Sequence, residues 1–246
     1  MQAISSLSPN FDERAPDKVI DMLVLHYTGM ASMEAALSRM LDEAAKVSAH
    51  YMIDEDGTLY RLVDEERRAW HAGVSYWAGE RDINSVSIGI ELVNPGHAYP
   101  GYEGGYRAFP EAQMTTLIEL AREIVVRHGI PPHRVLGHSD VAPARKADPG
   151  ELFDWDRLAA EGLAVMPASA QVEDGAALKR GASGAAVGLL QQRLGQVGYE
   201  IDATAVYDQQ TELVVAAFQR HFRRGQVDGI ADGETRGCLN ALLGIS

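Results

Sequence analysis

Residues 19–25 constrain this chain more than any other stretch. Six of the seven are apolar and all but Asp21 suit a β-strand, with no alternation between core and water. That is the pattern of a strand buried on both faces, so the fold built around it has to cover it from two sides. The run leads directly into His26-Tyr27-Thr28-Gly29. A histidine at the carboxyl end of a central strand can be held rigidly while facing a cleft, as a metal ligand must be. It can equally be a core histidine hydrogen-bonded to backbone, so His26 has to be weighed with its companions.

Downstream, Met33, Leu37, Met40, Leu41 and Ala44 recur at helical spacing and predict an amphipathic helix over residues 33–45. Two short β-compatible runs, 49–53 and 58–63, flank Asp54-Glu55-Asp56-Gly57 and predict a hairpin. Trp70-His71-Ala72-Gly73, followed by Tyr76 and Trp77, reads as a loop that either lines a cleft or packs a corner. Residues 85–93 alternate as a strand with Ile88 and Ile90 on one face. Glu91 lies on the other face with the small residues Ser87 and Gly89, which leave room beside it, either as a paired structural carboxylate or as a general base. Residues 97–110, rich in glycine and carrying Tyr99, Tyr102, Tyr106 and Phe109, read as a long loop bordering a site. The clearest helix spans 111–128, ended by His128-Gly129.

The chemistry concentrates in 137–149. This loop follows the short apolar run 134–137 and offers His138, Asp140, Lys146 and Asp148 within a segment too rich in proline and alanine for a strand or a long helix. Imidazole nitrogen and carboxylate oxygen suit zinc, which needs three protein ligands and an open fourth position for hydrolysis. The loop is one ligand short, and another part of the chain has to supply it.

A short helix is expected over 153–165. Residues 166–176 have the small-residue, proline and acidic composition of a linker. Beyond it, three short helices separated by glycine-rich breaks form a separate unit of about seventy residues, in which Gln191 and Gln219 occupy similar places and hint at an internal repeat.

Bulk properties narrow the function classes. A formal net charge of −13 over 246 residues argues against nucleic acid and against electrostatic adhesion to anionic membranes. The single cysteine, Cys238, rules out an intramolecular disulfide and reads as a buried thiol. The first ten residues lack the positively charged start and apolar core of a signal peptide, and no apolar run reaches the length of a membrane span, so a cytoplasmic protein is expected.

Taken together, Leu25-His26-Tyr27-Thr28, Ala49-His50-Tyr51, Trp70-His71-Ala72-Gly73, Ser87-Ile88-Gly89-Ile90-Glu91-Leu92, Gly137-His138-Ser139-Asp140 and Lys146-Ala147-Asp148-Pro149 resemble a known family. They look like the zinc-dependent N-acetylmuramoyl-L-alanine amidases, the type 2 amidases of the peptidoglycan recognition protein superfamily, over about residues 9–163. Separately, Gly198-Tyr199, Tyr207-Asp208, Phe218-Gln219 and Val227-Asp228-Gly229 resemble the small peptidoglycan-binding domain that accompanies many wall hydrolases.

The resemblance implies an α/β amidase domain at 1–165 with a mixed central β-sheet flanked by helices, the linker at 166–176, and a three-helix peptidoglycan-binding-like domain at 177–246. It makes His26, His138 and Asp148 the ligands of one Zn2+ per chain and Glu91 and Lys146 the catalytic groups. Tyr27, His50, Trp70 and His71 resemble positions around the cleft and are expected to serve the substrate, with Asp140 a structural residue near the histidine. Superfamily members that only bind peptidoglycan typically lack a zinc ligand, so the full set favours an enzyme. The expected reaction is hydrolysis of the amide between N-acetylmuramic acid and L-alanine, in peptidoglycan or soluble muropeptides, as part of cytoplasmic recycling. A sacculus-acting or phage-type lytic amidase and a non-catalytic sensor are the alternatives.

Overall fold

The computed structural model describes residues 2–167 and 171–245; three residues of the expected linker, 168–170, lie outside the described set. A six-stranded mixed sheet runs in the order β1-β5-β4-β7-β3-β8, built from β1 (Ile4–Ser5), β3 (Met22–Tyr27), β4 (Tyr51–Ile53), β5 (Leu59–Arg61), β7 (Ser87–Leu92) and β8 (Val135–Gly137). β4 and β5 are the antiparallel arms of the expected hairpin, while β4, β7, β3 and β8 run parallel to one another. Two more strands, β2 (Phe11–Glu13) and β6 (Arg67–Ala69), pair antiparallel beside the sheet.

The sheet is covered on both faces, as residues 19–25 require. On one side, Leu23, Leu25, Ile88 and Ile90 share an apolar cluster with Leu117, Ala121 and Ile124 of helix α3 (Glu111–His128) and with Trp155 and Leu158 of α5 (Trp155–Ala160). On the other, Met52, Leu62 and Val93 meet Ala36 and Met40 of α1 (Met33–Leu41). That helix stops short of the expected 45 because Asp42 turns extended and caps a 3-10 turn at Glu43–Ala45 through its side chain. A further short helix, α2 (Ile83–Val86), occupies the start of what the sequence predicts as the strand 85–93, so β7 begins only at Ser87. The loop 137–149 opens with one helical turn, α4 (His138–Val141).

The last three helices are α6 (Ala185–Val197), α7 (Gln209–Phe222) and α8 (Gly233–Leu242). The repeat is real at atomic level. Gln191 Nε2 donates to Thr211 Oγ1 and to the Val206 carbonyl, and Gln219 Nε2 donates to Thr235 Oγ1 and to the Ile230 carbonyl. Each glutamine thereby ties its own helix to the start of the next, where Asp208 and Asp232 serve as the caps. These helices are not separate from the sheet. Met22, Val24, Leu136 and Val141 belong to one apolar cluster with Val187, Leu194, Val214 and Phe218. The three helices at residues 177–246 thus share an apolar core with the sheet. Among the described residues, no helix is long and apolar enough to cross a membrane.

Candidate metal centre and active site

Strand register builds the site. In the β3–β7 pair His26 lies opposite Glu91, and in the β3–β8 pair Leu25 lies opposite Gly137, which brings His138 to the level of His26. Three chemically active side chains thus leave the carboxyl ends of three adjacent parallel strands, the usual position for a ligand crevice in an open α/β sheet. Asp148 comes from the loop after α4, held there by Ser139 N–H donating to the Asp148 carbonyl at 2.8 Å. The result is a cavity of about 550 Å3 lined by His26, Glu91, His138, Lys146 and Asp148, with Tyr27, His71 and Arg145 among its other walls.

Hydrogen bonds fix the tautomers of both histidines. The Ala72 carbonyl can only accept, so His138 Nε2 at 3.0 Å carries the proton. On the other side, Ser87 Oγ donates to the Ile83 carbonyl, and so accepts from His71 Nε2–H at 3.1 Å. This leaves His71 Nδ1 to accept from His26 Nε2–H at 3.0 Å. Burial, the neighbouring His138 and other charges hold the His26 imidazole down to about 4, and burial followed by His26 and His50 holds His71 well below the ordinary imidazole value, so both rings are neutral near pH 7.

The Nδ1 atoms of His26 and His138 face each other 2.9 Å apart, each 3.1 Å from Asp148 Oδ2. Three buried donor atoms this close repel one another unless a proton or a cation lies between them. They are the one group of described residues that could hold a metal ion. Two imidazole nitrogens and one carboxylate are a donor set suited to zinc, and a tetrahedron of zinc ligands at about 2.0–2.1 Å has edges of about 3.3 Å, close to the separations here.

Glu91 is buried at 7% exposure, and its Oε2 has no hydrogen-bond partner among the described residues. Burial and then the Asp148 carboxylate raise its pKa well above the carboxylate range, against the pull of Lys146. Gly89, two residues earlier on the same face, is required here: a Cβ would come within 2.5 Å of the His71 ring.

The remaining expected residues separate. Tyr27 is in the cavity wall, with its hydroxyl 3.0 Å from His97 Nδ1, and burial followed by Asp148 pushes its pKa up to about 12. His71 is at the cavity floor, where its hydrogen bonds orient His26. The expectation that His50 serves the substrate is corrected: the ring is fully buried, its Nδ1 accepts from Gly89 N–H, and its Nε2 faces the Arg67 carbonyl, so it ties strands together out of reach of any ligand. Trp70 is likewise outside the cavity lining, its indole N–H donating to Asp12 at 2.7 Å. The long loop 97–110 does border the site through His97 and Tyr99, and Tyr106 pins it to the segment after Asp148 by donating to the Pro149 carbonyl.

Several contributors carry no sequence signal of their own. Ser87 and the Ala72 carbonyl set the tautomers, and Arg145 donates to that same carbonyl at 3.0 Å. The Trp70-His71-Ala72-Gly73 motif marks the place, but only the fold shows that consecutive residues of it orient both histidine ligands.

The fold and the site define an α/β protein with three donors that could hold a metal ion at the carboxyl edge of its parallel strands, beside a buried acid. A family model for N-acetylmuramoyl-L-alanine amidase matches residues 16–151, and a peptidoglycan-binding-domain model matches residues 183–239. The chain is 36% identical over 231 residues to the N-acetylmuramoyl-L-alanine amidase AmiD of Escherichia coli strain K12, spanning 91% of this chain and 82% of that protein. It is 34% identical over 168 residues to the 1,6-anhydro-N-acetylmuramyl-L-alanine amidase AmpD of Haemophilus influenzae, spanning 61% of this chain and 86% of that one. The solved complex of E. coli AmiD with anhydro-N-acetylmuramic acid-L-Ala-D-gamma-Glu-L-Lys superposes with a TM-score of 0.78 at 31% identity, covering 96% of this chain and 97% of that one. AmpDh3 from Pseudomonas aeruginosa gives 0.75 at 29% identity, covering 98% of each chain. The chain belongs to the N-acetylmuramoyl-L-alanine amidase family and is an enzyme of that class.

Proposed function

We propose that the protein uses one zinc ion, held by His26 Nδ1, His138 Nδ1 and Asp148, to hydrolyse the amide between the lactyl group of N-acetylmuramic acid and L-alanine. The observation that carries this reading is the meeting of three potential metal ligands and an unpartnered buried carboxylate in one cavity. Zinc, when bound, supplies a Lewis acid that polarises the scissile carbonyl and lowers the pKa of water toward neutrality. The chain's own groups do the rest. Glu91 takes the proton of the attacking water on its free carboxylate oxygen and returns it to the departing L-alanine nitrogen. Burial favours its protonated form, which suits the second transfer, and Lys146 favours the ionised form needed for the first. The Lys146 ammonium faces the charge that develops on the carbonyl oxygen. Tyr27 and the His97–Tyr99 wall orient the substrate beside it.

The substrates we propose are soluble 1,6-anhydro-muropeptides, the chemistry named for AmpD and seen bound to AmiD. A recycling role in the cytoplasm follows from that proposal, and recovery of the native protein from a periplasmic or outer-membrane fraction would end it. A second reading, action on the intact sacculus, is favoured by the peptidoglycan-binding match at residues 183–239.

One assay tests these readings. Zinc-loaded wild type and Glu91→Ala are compared for release of stem peptides beginning with L-alanine, from 1,6-anhydro fragments and from whole sacculi. Turnover of fragments alone supports recycling, turnover of sacculi supports the second reading, and a zinc-loaded wild type inert on both defeats the enzyme mechanism.

A further inference from the structure

Asp140 lies two residues after His138 and is 1% exposed. Its Oδ2 accepts the Gly137 N–H at 2.8 Å, closing the turn that carries His138. The other donors to this carboxylate come from the C-terminal three-helix unit: the Tyr199 hydroxyl, just past α6, donates to Oδ1 at 2.7 Å, and His221 Nδ1 on α7 lies 2.8 Å from Oδ2. A buried carboxylate requires such donors, and removing one leaves the charge under-compensated rather than merely free.

Both donors are themselves locked in place. His221 stacks on Trp155 with ring centroids 3.7 Å apart. Tyr199 packs edge-on against Trp77 at 4.9 Å, and the turn before it fits only glycine: Gly198 has φ 138°, and a Cβ there would lie 2.5 Å from the Trp77 indole. The Ala78 N–H donates to the Gly198 carbonyl at 2.8 Å, completing the seat. On its far side the same short turn ties the two metal-side loops together, because Ser139 N–H reaches the Asp148 carbonyl.

We propose that Tyr199 and His221 are positioning residues of the metal centre: through Asp140 they hold the turn that aims His138, so the three-helix unit completes the active site from behind. This rests on the zinc reading above. It assigns that unit a task inside the enzyme that is independent of any wall polymer it binds. Partners that orient a metal ligand typically change metal affinity by about tenfold to a hundredfold when removed.

The test measures zinc affinity of the full-length protein by chelator competition and the visible spectrum of the cobalt-substituted protein, in Tyr199→Phe, His221→Leu and His221→Asn. Tyr199→Phe and His221→Leu are expected to weaken zinc binding by about tenfold or more and to alter the cobalt bands, with kcat falling more than KM rises. His221→Asn, whose amide N–H can replace Nδ1–H, is expected to recover most of the loss.

Arg224→Ala is the control. It removes a donor to the Phe153 carbonyl and an ion pair with Asp156 in the same domain interface without removing any donor to Asp140, and is expected to lower the melting temperature while leaving affinity and spectrum unchanged. If the Asp140 network were only a docking contact, all of these variants would behave like Arg224→Ala. Affinities of Tyr199→Phe and His221→Leu within twofold of wild type would overturn the proposal. Wild type that takes up neither zinc nor cobalt would overturn the zinc reading together with it, an outcome told apart by the wild-type metal stoichiometry alone.

Discussion

His71 Nδ1 accepts the Nε2 proton of His26 at 3.0 Å, and that single bond leaves His26 with a lone pair aimed at Asp148 and His138. Replacing His71 by leucine removes the acceptor and strands a buried N–H. His71→Leu is expected to lower zinc affinity by about tenfold to a hundredfold. Gly89→Ala, which drives a methyl group into the same ring, should act in the same direction. Chelator competition on the two folded variants measures both.

Zinc itself should act as a stabiliser. Three donor atoms converging at these distances form a site that the unfolded chain lacks, and a ligand at about a hundred times its Kd adds about 2.7 kcal/mol to the stability of the form that binds it. Thermal unfolding with and without a chelator should therefore show a clear drop in melting temperature on zinc removal, absent from His138→Ala. An unchanged melting temperature in wild type would contradict the arrangement of lone pairs.

Glu91→Gln separates catalysis from binding. The amide cannot accept the water proton, so kcat is expected to fall by about a hundredfold to ten-thousandfold while zinc content stays near one per chain.

The same substitution has a signature in the metal-free protein. Because burial raises the Glu91 pKa, the native state binds a proton that the unfolded chain has released above its ordinary value of about 4.3. Between that value and the raised native pKa, stability falls as pH rises. Glu91→Gln should flatten this part of the profile and stabilise the metal-free protein at neutral pH, with no difference at lower pH where both states are protonated. Denaturant titrations at a series of pH values test the sign.

Lys146→Met removes the cation facing the developing oxyanion. A loss in kcat of about a hundredfold is expected, with KM nearly unchanged, because the interaction is stronger in the transition state than with bound substrate. Equal loss in binding and turnover would place Lys146 on the substrate instead of on the reacting oxygen.

The parts of the fold that the sequence makes legible are those carried by local periodicity. The apolar run before His26, the alternation around Ile88 and Ile90, and the face of helix α3 each depend on neighbours in sequence; the last two form where periodicity predicts, while the buried strand of the first starts only at Met22 and leaves Val19 exposed. The joint motifs likewise point to the residues that strand register brings together at His26, Glu91 and His138. What escapes a linear reading is partnership over distance. Asp140 meets donors 59 and 81 residues later, and nothing in its own neighbourhood says so. His50 and His71 look alike as histidines in aromatic surroundings, yet one closes a strand pairing and the other sets a tautomer. Sequence patterning shows that a side chain is to be buried, but not what it will face.

The core that joins Met22, Val24 and Leu136 to Val187, Leu194 and Phe218 has a consequence for how the chain comes apart. The gap between the two family matches, residues 152–182, lies within a chain whose two parts share that core. Cutting the chain there would strip the cover from one face of the central strand and leave an apolar wound on the remaining fragment, open to aggregation. Heat or denaturant should accordingly melt the sheet and the three helices in a single transition, which calorimetry on the full chain would show as one peak.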